Sequence, residues 1–397
     1  MAGDNSAATA TAAAQTMRQR PAATPAPGNP RAVPLTGLAA QYFTDPAVFA
    51  RARERIFFRA WQFACHASQT PAPGDYFAFS VCGESLFVMR GRDRKLRAFY
   101  NVCRHRGHPL VEDGSGKRAT VVCPYHAWSY ELDGRLRAAP NANRVAGFDK
   151  RDIRLREVKL EEFLGFVFVN LDEQAKPMDD CYPGVREAAL ALCPDIEARA
   201  LAHAFSAREP CNWLVAVENY NECYHCPTAH RSFAEGIIDP NSYNIAPFGD
   251  ERGGRCLRHE SKATKSARAW YDVSGSDYGS FYLWPAFSLQ VYPGRVVNSY
   301  HWRPLQVDAT EVHRAWYSAD GAVDDKLQTV IDLDRDTTFA EDLKLVSGVQ
   351  RGIASRGFVP GPLMVDPNGG IGNELSIAAL HGWLREAVDA VDDSPAV

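Results

Sequence analysis

Two short Cys/His motifs constrain this chain more than any other feature of its sequence. Cys103 and His105 form C-x-H, Cys123 and His126 form C-x-x-H, and seventeen residues separate His105 from Cys123. Each motif supplies one thiolate and one imidazole, which favours a metal centre with two kinds of ligand. Gly, Pro and aromatic residues flank the ligands in CRHRGHPL and CPYHAWSY, as expected of tight loops that shield such a centre.

The ligand types match a [2Fe–2S] cluster of the Rieske type, in which two Cys bind one iron and two His bind the other. A structural zinc site is the alternative, because Cys/His quartets often bind zinc. Zinc motifs more usually pair like residues, as in C-x-x-C or H-x-x-x-H. The sequence therefore predicts a Rieske cluster bound by Cys103, His105, Cys123 and His126.

Length and composition indicate an ordinary globular protein with two domains. The chain has 397 residues, of which 46% are hydrophobic and 23% charged, and its net charge is −4. These values argue against binding to nucleic acid or to an anionic membrane. The longest apolar stretch, near residues 163–171, is too short to span a bilayer. We expect a cytoplasmic protein, since an iron–sulfur cluster is assembled in a reducing compartment.

The other cysteines show no spacing typical of a disulfide framework. We expect them to be small buried residues rather than disulfide-bonded ones. They are Cys65, Cys82, Cys181, Cys193, Cys211, Cys223, Cys226 and Cys256.

The pattern along the chain predicts an α+β fold. Residues 1–36 are rich in Ala, Thr and Pro and are expected to form a disordered tail, with a weak likeness to a transit peptide as the alternative. Residues 37–60 predict an N-terminal helix that packs on the larger domain. Residues 61–165 predict a small all-β domain with the Cys/His motifs on its loops. Residues 166–397 predict a larger domain, with an antiparallel sheet flanked by helices.

The segment NWLVAVENYNECYHCPTAH suggests a second metal site. His225 and His230 are five residues apart, which places them ~140° apart on an ideal helix. The proline between them breaks a helix and allows them to converge. Glu218, Glu222 and His225 recur at i, i+4 and i+7, so they are expected to share a helix face. Two carboxylates beside a His pair are typical of a metal site with its outer shell, and a solvated helix face is the alternative.

Asp342 is the best candidate for a third ligand, because two His and one carboxylate hold non-haem Fe(II) with open positions. A predicted apolar helix stripe is interrupted by this one carboxylate, and a buried carboxylate is costly unless it is paired or metal-bound. The stripe consists of Phe339, Asp342, Val346 and Val349. Glu341 is expected to face solvent. The weaker candidates lie where acids simply favour the helix dipole; they are Asp332, Asp334 and Asp336.

Together these motifs resemble the large (α) subunits of the Rieske non-haem iron oxygenases. The resemblance extends from Tyr42 to about Val388, and it matches the family's Cys/His motifs, E-x-x-H-x-x-x-x-H and late Asp in order. It implies that the cluster ligands are Cys103, His105, Cys123 and His126, and that the mononuclear Fe(II) ligands are His225, His230 and Asp342. Glu222 would connect this iron to a cluster His of a neighbouring subunit, which implies a head-to-tail homotrimer.

Within this family, ENYNECYHCPTAH, CNW, EDLKLVSGVQRGIASRGF and DPNGGI resemble the branch that acts on quaternary ammonium compounds. The resemblance implies a terminal oxygenase that uses O₂ to hydroxylate an N-methyl group. Conversion of glycine betaine to dimethylglycine and formaldehyde is the leading example. The alternatives are a carnitine- or choline-type monooxygenase and an aromatic-ring-hydroxylating oxygenase α subunit. A pure electron carrier that lacks the catalytic iron is a further hypothesis.

Electrons would come from a separate reductase that uses NAD(P)H, a flavin and an iron–sulfur centre. The chain itself shows neither a nucleotide-binding Gly-rich fingerprint nor a plant-type C-x₄-C-x₂-C run. An aromatic-rich segment offers a cage for a trimethylammonium group, although a flat aromatic substrate would stack on the same rings. The candidate cage residues are Tyr278, Phe281, Tyr282, Trp284, Phe287 and Tyr292.

Overall fold

The computed structural model describes residues 35–249, 254–264, 277–366 and 368–390. The predicted N-terminal tail lies almost entirely outside these ranges. Among the described helices, none combines the length and the hydropathy that crossing a bilayer requires.

The N-terminal region is helical. It comprises α1 (Gln41–Thr44), α2 (Pro46–Ala52) and a π-helical turn (Arg53–Phe57). The Asp45 side chain caps α2 by accepting a hydrogen bond from the Ala47 amide, and Pro46 occupies the first turn, where a missing N–H has no cost. Phe57 packs edge-on against Trp213 of the larger domain, with ring centroids 5.0 Å apart.

The first sheet is antiparallel and has the order β1-β10-β9-β4-β3-β2-β5. Its strands are β1 (Gln62–His66), β2 (Asp75–Val81), β3 (Glu84–Arg90), β4 (Leu96–Tyr100), β5 (Gly114–Lys117), β9 (Glu157–Phe163) and β10 (Phe166–Asn170). The short strands β6 (Val121–Val122), β7 (Ser129–Tyr130) and β8 (Leu136–Ala138) form a separate small sheet. The predicted domain boundary at residue 165 is wrong, because β10 pairs with both β9 and β1 and so belongs to this first domain.

The second sheet is also antiparallel, with the order β11-β17-β16-β15-β14-β13-β12. Its strands are β11 (Ala200–Glu209), β12 (Asn244–Phe248), β13 (Cys256–Ser261), β14 (Tyr278–Leu283), β15 (Phe287–Tyr292), β16 (Val296–Gln306) and β17 (Ala309–Ser318). Together with the flanking helices, it confirms the predicted α+β architecture.

Strand alternation gives this second sheet two different faces. Residues such as Phe281 and Val291 pack with the first sheet and with the helices α3 (Met178–Cys181) and α4 (Val185–Leu192). Residues such as Tyr278 and Tyr300 face the opposite side and pack with the remaining helices. These helices are α5 (Trp213–Tyr220), α6 (Cys226–Ala229), α7 (Arg231–Gly236), α8 (Asp325–Leu333), α9 (Ala340–Ile353) and α10 (Leu375–Val388).

Residues 325–353 are helical throughout, but the helix is not regular. A π-helical turn (Asp334–Phe339) joins α8 to α9.

At the start of α5, the Asn212 side chain accepts a hydrogen bond from the Leu214 amide at 2.9 Å, which fixes where this helix begins. The loop that follows α5 carries the second predicted metal site.

Candidate metal centres

The two Cys/His motifs fold into loops with the same backbone pattern. The Cys103 carbonyl accepts from the Gly107 amide at 3.0 Å, and the Cys123 carbonyl accepts from the Ala127 amide at 3.0 Å. Each cysteine amide donates in turn to the carbonyl of the residue five positions later. Gly107 and Ala127 both have positive φ, at 73° and 57°, so each chain turns back sharply after its His. The matched turns present two Cys/His couples side by side.

The four predicted cluster ligands separate into a buried pair and an outer pair. Cys103 and Cys123 are buried, and their thiols are hydrogen-bonded to each other. His105 is exposed and His126 is half-buried, and their rings lie 4.6 Å apart. A cluster with one thiolate-bound iron and one imidazole-bound iron requires this separation. The donor set therefore fits a Rieske cluster whose His-bound iron is nearer to the surface.

Aromatic side chains support the two loops from inside. The Tyr130 hydroxyl lies 3.2 Å from the Cys103 sulfur and accepts from the Arg104 amide at 3.0 Å. The Trp128 ring stacks on His105, with centroids 4.7 Å apart. Hydrogen bonds to the sulfur and partial exclusion of water are two of the factors that tune the potential of such a cluster.

His225, His230 and Asp342 converge in the larger domain. One candidate ligand atom from each lies within 4.8 Å of the other two. Nε2 of His230 is 2.8 Å from Oδ1 of Asp342, and Nε2 of His225 is 3.7 Å from the same oxygen. His225 precedes α6, His230 lies between α6 and α7, and Asp342 is in the first turn of α9. Two imidazoles and one carboxylate are thus grouped as a non-haem Fe(II) site requires.

The other nitrogen of each imidazole contacts a carboxylate. Nδ1 of His225 contacts Oε1 of Glu222, and Nδ1 of His230 is 2.8 Å from Oε2 of Glu341. Burial lowers the pKa of His230, but the hydrogen bonds to Asp342 and Glu341 outweigh burial and raise this pKa overall. A carboxylate on Nδ1 fixes the ring orientation and leaves Nε2 for a metal. Both predicted His ligands therefore have an orienting partner.

Three details of this site differ from prediction. Glu341 does not simply face solvent, because its carboxylate is bonded to His230. Glu218, Glu222 and His225 do not share a helix face: α5 ends at Tyr220, and Glu218 bonds to His381 at 2.7 Å instead. Asp334, considered a dipole-favouring acid, is in fact buried and paired with Arg314 at 2.6 Å.

The expectation of unpaired cysteines is wrong at one place. Cys223 and Cys226 form a disulfide, with Cα atoms 4.9 Å apart, and this bond encloses His225. The two residues are three apart at a tight turn after α5, which brings their Cβ atoms within disulfide reach. The remaining six cysteines outside the cluster motifs are free, as expected.

A small cavity of about 50 Å³ adjoins the His225, His230 and Asp342 side chains. Its lining combines polar and titratable side chains with six aromatic rings, which are those of Tyr220, Phe233, Tyr243, Tyr278, Tyr292 and Tyr300. Of the six predicted cage residues, the structure places Tyr278 and Tyr292 at the cavity. Phe281 and Phe287 lie on the opposite face of the sheet, and Tyr282 and Trp284 are buried beside the cavity without lining it.

Polar side chains at the cavity form hydrogen bonds with other buried polar side chains. The Tyr220 hydroxyl is hydrogen-bonded with the Ser280 hydroxyl at 2.6 Å. The Tyr243 hydroxyl donates to Nδ1 of His259 at 3.1 Å, and burial lowers the pKa of His259 to about 3, so this imidazole is neutral. Near Asp342, burial raises the pKa of Glu209 to about 7. Sequence reasoning missed these residues, and strand alternation around Tyr278 was the signal that could have found some of them.

Comparison with known proteins decides the family. A model of the Rieske [2Fe–2S] domain matches residues 60–149, and a model of the catalytic domain of the ring-hydroxylating α subunit matches residues 196–390. The oxygenase subunit of carnitine monooxygenase from Escherichia coli (strain K12) is 36% identical over 353 residues, which cover 87% of this chain and 92% of that protein. The chain belongs to the Rieske non-haem iron oxygenases.

Further relatives are similar to this Rieske oxygenase in sequence and in structure. The glycine betaine monooxygenase oxygenase subunit of Pseudomonas aeruginosa (strain UCBPP-PA14) is 30% identical over 226 residues, or 57% of this chain and 51% of that protein. The crystal structure of the quaternary ammonium Rieske monooxygenase CntA in complex with L-carnitine has a TM-score of 0.80 and 33% identity, covering 89% of this chain and 96% of that one. The expected resemblance to the quaternary-ammonium branch is confirmed.

The Rieske oxygenase therefore carries a [2Fe–2S] domain and a catalytic domain for a mononuclear iron, and it is a monooxygenase. The donor sets fit both groups: buried sulfurs with outer imidazoles in the first domain, and two imidazoles with one carboxylate in the second. Relatives of this kind are oxygenase subunits, so a separate reductase is expected.

Proposed function

We propose that this Rieske oxygenase oxidises a quaternary ammonium compound with cleavage of a C–N bond, and that L-carnitine is the leading substrate. The observation that carries the proposal is the aromatic cavity beside His225, His230 and Asp342. Aromatic faces bind a trimethylammonium group through cation–π attraction, since such a group cannot donate hydrogen bonds. Relatives that act on carnitine support this substrate, and demethylation of glycine betaine is the second candidate.

The metal ligands follow from the two donor sets. Cys103 and Cys123 would hold one iron of the cluster, and His105 and His126 would hold the other. His225, His230 and Asp342 would hold the mononuclear Fe(II). Fe(II) with two His and one carboxylate supplies open positions for O₂. The protein's contribution is to orient both imidazoles through Glu222 and Glu341, and to enclose the substrate among tyrosine rings.

Glu222 connects the two kinds of centre across a subunit interface. Its side chain contacts Nδ1 of His225 and accepts from the Tyr224 and His225 amides, so three hydrogen bonds hold both carboxylate oxygens. His105, on the outer side of the cluster, is exposed. Electrons would pass between subunits from the exposed His105 of one chain to Glu222 of its neighbour, which contacts the iron ligand His225. A head-to-tail homotrimer provides this juxtaposition, and a separate flavin and iron–sulfur reductase supplies the electrons from NAD(P)H.

A single-turnover assay tests the substrate. The protein, chemically reduced and loaded with iron, is exposed to O₂ together with L-carnitine, glycine betaine, choline or benzoate in parallel. Trimethylamine from carnitine is the expected product, while formaldehyde from glycine betaine identifies demethylation. The matched control is His225→Ala, which removes one iron ligand and leaves the cluster motifs intact. Oxidation of benzoate alone contradicts the proposal and favours a ring-hydroxylating oxygenase.

A further inference from the structure

Two buried side chains at the cavity have hydrogen-bond donors without partners. Gln290 and Arg314 both line the cavity, and they are 2% and 4% exposed. Among the residues that the structure describes, Nε2 of Gln290 and Nε of Arg314 have no hydrogen-bond partner. Buried donors are nearly always satisfied, because an unsatisfied one costs about 1–3 kcal/mol. Because both side chains also line the cavity, a ligand group that accepts hydrogen bonds would satisfy these two atoms.

The register of the second sheet brings both side chains to the same face. Gln290 on β15 lies opposite Asn298 on β16, and Tyr300, two residues along β16, lies opposite Arg314 on β17. Directly opposed residues and residues two apart on a strand point to the same side of a sheet. Gln290 and Arg314 thus reach the cavity from strands on either side of β16, with Tyr300 between them.

The rest of each side chain is held in place. Oε1 of Gln290 accepts from the Tyr278 hydroxyl at 2.9 Å, so the amide group is oriented and its nitrogen remains as a donor. Nη1 of Arg314 pairs with Asp334 at 2.6 Å, and its guanidinium lies 4.0 Å from the centroid of the Tyr300 ring. A guanidinium has five N–H donors, and this ion pair leaves others for a second acceptor.

We propose that Gln290 and Arg314 anchor the carboxylate of a zwitterionic quaternary ammonium substrate. Gln290 donates one hydrogen bond to the carboxylate and Arg314 donates a second from Nε, while the trimethylammonium end lies among the tyrosine rings. The inference rests on the proposed function and narrows it to substrates with a carboxylate, such as L-carnitine, γ-butyrobetaine and glycine betaine. Choline has the same ammonium group without a carboxylate, so it leaves both donors unsatisfied.

Calorimetric binding to the oxidised, iron-loaded protein without O₂ tests the anchor free of turnover. The probes are L-carnitine, γ-butyrobetaine, glycine betaine and choline. Gln290→Leu is expected to weaken the three carboxylates by about tenfold and choline by less than about twofold, since one hydrogen bond to a charged group is lost. Gln290→Glu is expected to weaken the carboxylates further through like-charge repulsion and to leave choline binding unchanged or tighter.

Asn298→Leu is the matched control. Asn298 is a buried amide directly opposite Gln290, and it does not line the cavity. Its side-chain nitrogen and oxygen also have no partner within the described part of the chain. This variant should bind all four probes like the wild type. The visible absorption of the Rieske cluster reports folding in each variant. If Gln290→Leu lacks this absorption, the binding data for Gln290→Glu test the anchor instead.

The outcomes separate the anchor from the proposed function. Wild-type affinity for choline equal to that for L-carnitine overturns the anchor and leaves a quaternary ammonium substrate in place. A Gln290→Leu variant that weakens all four probes equally also overturns it, since a structural or water-binding role would act in that way. Absence of binding and of single-turnover oxidation for every quaternary ammonium probe overturns the proposed function itself.

Discussion

Replacing Glu341 should weaken iron binding without affecting the cluster. Glu341 bonds to Nδ1 of His230 at 2.8 Å, and its side chain is 38% exposed. Carboxylates that orient a metal-bound His typically account for 10–100-fold in affinity. Partial exposure to water favours the lower end of this range. Glu341→Ala should therefore weaken iron binding by about tenfold, or about 1.4 kcal/mol, and Glu341→Gln, which retains a hydrogen-bond acceptor, by less.

Competition with an iron chelator of known affinity measures this loss, and the visible absorption of the cluster serves as an internal standard of folding. Asp336→Asn is the matched control, because Asp336 is an exposed acid on the preceding π-helical turn and pairs with the neighbouring Arg335 at 2.7 Å. Iron affinity unchanged in Glu341→Ala refutes an orienting role. Simultaneous loss of the cluster absorption indicates a folding defect instead.

Four further predictions follow from the described contacts. Asp342→Ala should remove the mononuclear iron while the cluster absorption persists, and metal analysis showing full occupancy would count against Asp342 as a ligand. Glu222→Gln at saturating iron should keep both centres filled but slow electron transfer from the cluster at least about tenfold; an unchanged rate in stopped-flow absorption excludes the bridge. Arg314→Met should destabilise the fold by about 3–5 kcal/mol in urea unfolding, because it leaves the buried Asp334 carboxylate without its cationic partner. Adding Asp334→Asn should restore most of the loss. Burial lowers the pKa of His259 to about 3, so the folded state binds a proton on this imidazole less readily than the unfolded state does. The stabilisation from the neutral imidazole is fully present above about pH 6.5, and the free energy of unfolding should fall by about 1.4 kcal/mol for each pH unit of acidification below that. His259→Gln should reduce that slope.

Local patterns in the sequence were sufficient to predict the α+β architecture and the grouping of His225, His230 and Asp342. The Cys/His motifs lie on short loops, where spacing alone restricts which side chains can meet. The convergence of His225 and His230 was expected from a helix break at Pro227, but α5 already ends at Tyr220 and Pro227 lies in the first turn of α6. The domain boundary failed because β10 pairs with β1, about a hundred residues earlier in the chain, and alternation within one strand carries no information about such distant pairing.

The orienting carboxylate was missed for a geometric reason. A step of 100° per residue places Glu341 beside Asp342 and away from the predicted stripe. His230, however, is buried against the start of α9, so its two ring nitrogens meet successive side chains of that helix. The stripe itself is shifted later in α9: Val349 is exposed, and Gln350 is buried in its place.

The walls of the cavity depend on the assembled sheet. Gln290 and Arg314 are ordinary polar residues within their own strands, and nothing in their local sequence marks them as ligand-binding. They share the cavity only because the register of β15, β16 and β17 places both on the face that also carries Tyr300. Prediction of such a site requires the strand pairing, which single-sequence periodicity does not supply.

Iron content per chain tests the two-centre account most directly. One [2Fe–2S] cluster and one mononuclear site require about three irons in the wild-type protein, and His225→Ala should contain about two while its cluster absorption is unchanged. A wild-type value of about two irons, or a His225→Ala variant that retains the third, would contradict the assignment of a separate iron to His225, His230 and Asp342.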